Sequence, residues 1–339
     1  MRYLLATGDM FGSLHSDTLA LADVRMLYPP LPDSGGGRLD LTLAVRDTGA
    51  SEYVVTNADL HTGAAQIRGQ LGLVVPGGDS AVSLRDTDLT FRDFPTALIE
   101  RLVPDAKSPV AGDLTGRAAI SGAPSAMRLD TRVVFDPVRH AAFTVTARGG
   151  VAFSNGFSAR RLYIVGERVP VSIVREFGPD PRLGGVVNAN ATLSGSTATR
   201  LQGPYRLVHN DAGTVSRIEG EGSIAVKGMR MDIGMRFQPV SLELAERFAT
   251  KTDFRGAVTG TGRLRGTPRD LAVRLDLNLP DTGTVEVDGT YKTPNDNVPV
   301  YTTTVTLRGV DVQRVVPAFP TTTVEGVTTL NGRGTQLAT

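Results

Sequence analysis

The sequence contains no cysteine and no tryptophan. Without thiols, a disulfide framework, thiolate catalysis and zinc–sulfur sites are all excluded, and the composition fits an oxidising compartment. Aromatic residues are only 6% of the chain. Lysine is nearly absent too, occurring at Lys107, Lys227, Lys251 and Lys292. The remaining positive charges are arginines scattered singly between apolar residues, the pattern of a solvated strand face rather than a phosphate-binding patch. A net charge of +1 gives no reason to expect a nucleic-acid partner. No run approaches the roughly 18 apolar residues of a membrane span. The opening MRYLLATGDMFGS lacks the basic region, apolar core and small-residue cleavage site of a signal peptide. The final residues Gly334 to Thr339 read as the middle of a strand pair, so a fragment of a longer protein is expected.

What the chain does have is alternation. Its 339 residues are 40% hydrophobic, which excludes wholesale disorder, and 38 glycines with 20 prolines supply turns. From Leu271 the residues Leu271, Val273, Leu275, Leu277 and Leu279 alternate with Ala272, Arg274, Asp276 and Asn278. A period of two marks a strand with one apolar and one polar face. The segment GSIAVKGMRMDIGMRF carries Ile224 and Val226, then Met229, Met231, Ile233, Met235 and Phe237. Its parity flips at Lys227-Gly228, where a β-bulge is expected. Further strand stripes begin at Leu39, Met127, Phe143 and Tyr301, separated by turns such as 76–79 and 295–297. Ser34 to Gly37 reads as a flexible loop.

The strands recur in units. Glycines ten residues apart occur as Gly112/Gly122, Gly185/Gly195 and Gly256/Gly266, with a fourth copy beginning at Gly326, giving a repeat of about 71 residues. Before each lies a helix-like segment, near 95–103, 170–177, 239–249 and 310–318, with apolar pairs Leu98/Leu102, Ile173/Phe177, Leu244/Phe248 and Val312/Val316. Pro239 suits a first helical position because its missing N–H has no intrahelical partner there. The organisation expected is an N-terminal β segment over 1–94, a partial repeat without a helix landmark, then repeats over 95–169, 170–238 and 239–309, and a truncated repeat over 310–339. Each repeat holds about four strands and one short helix. Gly112, Gly185 and Gly256 should occupy equivalent places.

Chemistry is sparse. His15, His61, His140 and His209 lie in separate contexts, without the spacing of metal ligands. Gly260, Gly262 and Gly266 resemble a dinucleotide fingerprint, but they have one residue too many and open a strand. Asp9, Asp86 and Asp88 lack a convergent partner. Asn190 to Thr192 has the form of a glycosylation acceptor inside a strand. The expectation is a non-enzymatic protein with no cofactor and no metal. Few aromatics, a long uninterrupted period and a run of methionines favour an open apolar groove over a closed core, since flexible Met and Leu accommodate varied ligands. The groove-lining residues expected are Met229, Met231, Ile233, Met235, Phe237, Leu271, Val273, Leu275 and Leu277. The alternative is a secreted structural or adhesive β-repeat protein with a filled interior.

The run Phe254-Arg-Gly256-Ala-Val258-Thr-Gly260-Thr-Gly262-Arg-Leu264-Arg-Gly266-Thr267-Pro268, followed by alternating Leu271, Val273 and Leu275, resembles the AsmA-like and TamB (translocation and assembly module) families. The resemblance covers about residues 95–339 and is one of repeat style. It implies a mainly β fold: an elongated, mostly antiparallel sheet curled like a taco, in the periplasm of bacteria with two membranes. It also implies conduction of phospholipid acyl chains between inner and outer membranes, support of outer-membrane protein assembly, or both. The membrane anchor and the C-terminal domain that meets the outer-membrane assembly barrel in that family are expected to lie outside this fragment.

Overall fold

The computed structural model describes residues 2–4, 9–26, 28–78, 81–102, 107–154, 156–177, 182–247, 253–294 and 298–334, with 2–4 and 245–247 as backbone alone. The protein is mainly β and divides into two units, residues 1–169 with 176–178, and 170–175 with 179–339.

In the first unit the strands are β1 (Arg2–Leu4), β2 (Asp9–Ala20), β3 (Gly36–Val45), β4 (Ser51–Thr62), β5 (Ala65–Val75), β6 (Ser83–Pro95), β7 (Gly112–Gly122), β8 (Met127–Pro137), β9 (Phe143–Ala152) and β10 (Ser158–Pro170). The second unit holds β11 (Val186–Ser196), β12 (Leu201–Asp211), β13 (Thr214–Ala225), β14 (Arg230–Ser241), β15 (Ala257–Thr267), β16 (Asp270–Leu279), β17 (Gly283–Lys292), β18 (Val300–Asp311) and β19 (Thr323–Arg333). Within each unit every strand pairs antiparallel with the next in sequence. None of these pairings joins the edge strands of a unit, so neither sheet closes through them.

A short helix follows every fourth strand: α1 (Leu21–Val24) after β2, α2 (Thr96–Leu102) after β6, 3-10 helices Val171–Glu176 after β10 and Leu242–Arg247 after β14, and α3 (Val312–Val315) after β18. The entry to the helix is built the same way repeatedly. The N–H of Leu21 donates to Gly35 O at 3.0 Å, Val171 to Gly185 at 3.1 Å, Leu242 to Gly256 at 3.0 Å and Val312 to Thr322 at 3.1 Å. These bonds satisfy a helix-end donor that has no intrahelical partner. Just ahead of the helix the strand register shifts, between Ser16/Leu19, Phe91/Phe94, Phe237/Val240 and Leu307/Val310. A bulge bends the strand, which here turns the chain out of the sheet.

Several expectations are corrected. Pro239 does not start a helix; it lies in the bulge of β14, where a residue without an N–H leaves no ladder donor unpaired. Lys227-Gly228 is a hairpin turn, not a bulge, so the methionine-rich run is two antiparallel strands. Residues 1–94 do contain a helix, α1; its four residues are too few to show a period. Gly185 and Gly256 match one another, and Gly35, read as part of a flexible loop, matches them too. Gly112 sits instead as the first residue of β7, bonded to Thr96 Oγ1, and Gly326 lies inside β19. Phe248, Asn295 to Asn297 and Gln336 fall outside the described residues.

The second glycines of each pair are strictly placed. Gly122, Gly195 and Gly266 end or nearly end the strand before a hairpin, all with φ between 101° and 132°. At Gly266 a Cβ would collide with the Asp270 carbonyl oxygen across the turn, so only glycine fits without distortion.

Candidate functional site: an apolar sheet face

In an antiparallel pair, residues directly opposite one another point to the same face. The registers of β12 to β18 therefore assemble the separate sequence stripes into rows. One row runs Leu207, Ile218, Phe237, Gly260, Leu277, Val285, Leu307. The next runs Tyr205, Gly220, Met235, Gly262, Leu275, Val287, Val305. A third brings Ile233, Leu264 and Val273 together, and a fourth Ile224, Met231, Leu271 and Tyr291. Eight of the nine expected lining residues thus share one face. Met229 does not: it occupies the β13–β14 turn at φ 50° and is exposed.

The sequence did not reveal Ile218, Leu264, Val285, Val287, Val305 or Leu307 as members of this face. Each lies in an alternating stretch, but register decides which strands meet, and glycines at 220, 222, 260 and 262 interrupt the apolar signal. These glycines have a packing role. A Cβ at Gly262 would lie 2.8 Å from Leu275 Cδ2 and 3.2 Å from both Met235 Cε and Phe237 Cζ. The large side chains lean over the bare backbone and fill the space it leaves.

Among the described residues, sizeable contacts between elements join only chain neighbours, and no large side chain is fully buried. The face residues are partly exposed along β14 to β16. Burial is concentrated at one end, where Val258, Leu279 and Val310 form a cluster packed by Val240, Leu242, Leu277, Val285, Leu307 and Val315.

The opposite face is charged. Arg263 holds Asp232 through two bonds of 2.8 and 2.9 Å, which keeps the Asp232 carboxyl below the usual range. Arg308 pairs with Glu286 at 2.6 Å, and Arg274 and Asp276 are both exposed, 3.8 Å apart. In the first unit Arg117 likewise depresses Asp88, and Arg68 depresses Asp59. There, His15 Nδ1 lies 2.5 Å from Asp40 Oδ1, and Asp40 and Asp17 together raise the imidazole above its ordinary value. A shallow depression of about 950 Å³ lies over this polar side, lined by His15, Asp40, Asp59, Arg68, Asp88 and Arg117.

The other sequence candidates stay apart. His140 Nε2 is 3.0 Å from Glu176, His209 Nε2 donates to Gly184 O at 2.8 Å, and His61 lies in β4. Gly260, Gly262 and Gly266 are in β15, and Asn190 is in β11. Asp86 is at φ 48° in β6, and Asp9 accepts from the Asp47 N–H. No group of metal-ligating side chains occurs among the described residues. The apolar face is the feature with a chemical capacity beyond structure, since it can take apolar surface out of water. Comparison with protein-family models, with curated proteins and with solved structures finds no match.

Proposed function

We propose that this chain is a non-enzymatic lipid-handling β protein whose apolar sheet face carries phospholipid acyl chains. The observation that carries the reading is the row-by-row apolar face of β12 to β18, partly exposed along β14 to β16. An acyl chain in water costs about 0.8 kcal/mol per exposed CH₂ relative to an apolar surrounding. A face of similar aliphatic side chains offers that surrounding evenly, without a deep well that would trap the lipid.

The short helix after every fourth strand supports a repeat of about 71 residues. With the likeness to AsmA-like and TamB sequences, it supports the finer picture as well. In that picture each sheet curls about its apolar side, and the protein works in the periplasm of a two-membrane envelope. There it conducts phospholipid between membranes or supports outer-membrane protein assembly. The partners in that setting are acyl chains and, through the assembly function, an outer-membrane barrel.

The test is photo-crosslinking from a diazirine amino acid at Leu275 or at Arg274, one residue away on the other face, in protein mixed with phospholipid vesicles. Lipid adducts at 275 and not at 274 are expected. Equal adducts at both positions, or none at 275 in folded protein, would overturn the reading and leave the face as the filled interior of a structural protein.

A further inference from the structure

We propose that the apolar face of the second unit takes phospholipid in one orientation, headgroup at the rim of turns and acyl chains toward the helices, and that it prefers anionic phospholipid. The inference rests on the lipid reading above and adds an end and a charge to it.

Because the strands alternate in direction, the connections after β12, β14, β16 and β18 share one rim, and those after β11, β13, β15 and β17 share the other. The two rims differ in how the face ends. At the helix rim Val258, Leu279 and Val310 are only 5–6% exposed beneath Leu242 and Val315, so the face is closed there. At the turn rim it stays open: Val226 is 40% exposed and Tyr291 38%.

They differ in charge as well. At the helix rim cations sit beside acids, Arg255 2.9 Å from Asp253 and Arg314 3.4 Å from Asp311. The turn rim carries Arg200, Lys227, Arg230, Arg269 and Lys292, all exposed. Asp270 is the single acid in these connections and terminal strand residues among the described residues. Lys227, Arg230, Arg269 and Lys292 form no ion pair among the described residues. In the sequence Lys227, Arg269 and Lys292 stand tens of residues apart. The fold places Lys227, Arg269 and Lys292 on or beside three successive hairpins, about 10 Å from one to the next given a strand spacing of about 4.8 Å. That is near the Debye length at physiological salt, so a phosphate at this rim interacts with neighbouring cations together. An amphiphile whose tail lies on the face has its head where the face is open, and there the surface is cationic.

The test uses phospholipids carrying a diazirine either beside the headgroup or at the acyl-chain end, in vesicles of phosphatidylcholine alone or with phosphatidylglycerol of the same chains. Adduct positions are read by peptide mass spectrometry. The head-proximal label should map to 226–230 and 291–300, the chain-end label to the neighbourhood of Val258 and Leu279. The triple variant Lys227→Glu/Arg269→Glu/Lys292→Glu should lose about tenfold in phosphatidylglycerol capture, with phosphatidylcholine capture unchanged. The conservative set Lys227→Arg/Arg269→Lys/Lys292→Arg should retain it. Unfolding curves matching the parent establish that both sets fold. Adducts on the face from both labels at both ends, or phosphatidylglycerol capture indifferent to charge reversal, would overturn the orientation and leave the lipid reading standing. No adducts on the face from either label would overturn both.

Discussion

The middle of the apolar face and its helix-rim end are made of the same residues in the same alternation, yet they are different environments. Leu275 and Val258 both point to the apolar side of neighbouring strands. Val258 is 6% exposed among Leu279, Val310 and the rim helices, whereas Leu275 is partly exposed. Alternation reports only that a face avoids water. What stands on that face depends on whether a helix folds back over it, and among the described residues the helices contribute Leu242 and Val315, both at the rim. The rim supplies the packed core that holds the sheet, and the middle is left as surface.

The largest expected effect contrasts the two regions with one substitution. Val258→Asp leaves an unpaired charge in the packed cluster and should cost about 3 to 5 kcal/mol in urea unfolding. Leu275→Asp should cost only about 1 to 2 kcal/mol while abolishing lipid crosslinking on the face. Equal large losses would erase the distinction between rim and face.

Glycine sharpens it next. Gly266→Ala, at φ 132° against the Asp270 carbonyl, should cost about 1 to 3 kcal/mol because backbone has to move. Gly262→Ala meets only the movable ends of Leu275, Met235 and Phe237 and should cost about 1 kcal/mol. Thermal unfolding of the two variants ranks them, and the reverse order would contradict an uncovered face with adaptable side chains.

A smaller effect belongs to the charged face. Asp232, held by Arg263, has a lowered carboxyl pKa, so its contribution is present above the unfolded carboxylate value near pH 4 and fades as pH falls through the folded value. Arg263→Ala should flatten that acid limb in unfolding curves measured from pH 5 to pH 2. His15 has the opposite sign. Its raised pKa gives stability below pH 6.5 that is lost as pH rises through the folded value, and Asp40→Asn should lower the imidazole midpoint seen by NMR.

Much of the fold was legible because strand parity is a strong signal where strands run unbroken. The alternation over Leu271 to Leu279 places β16 and its faces directly. Legibility fails where bulges change parity. In the first unit registers shift at Val55/Ala58, Gln70/Gly72 and Leu84/Thr87, with Asn57 and Asp86 at positive φ, and residues 1–94 showed no helix landmark. Pro239 was misplaced for a similar reason: proline is equally at home at a helix start and in a bulge. The membership of the apolar face was half legible. Which residues of a strand are apolar is local information, but which strand lies beside which is fixed by hairpins such as Lys227-Gly228. The cationic rim was invisible in sequence, because its charges are gathered by topology alone.

The absence of native cysteine allows the central claim, that the middle of this face is uncovered and takes up acyl chains, to be measured cleanly. A nitroxide is attached at Leu275→Cys, Arg274→Cys or Val258→Cys, and its accessibility to a water-soluble nickel complex and to oxygen is recorded by EPR before and after adding phospholipid vesicles. The account predicts that the label at 275 is reached by nickel without lipid and shifts toward oxygen with lipid, while the label at 274 stays nickel-accessible and the label at 258 is shielded throughout. A label at 275 as shielded as that at 258 before any lipid is added would contradict it.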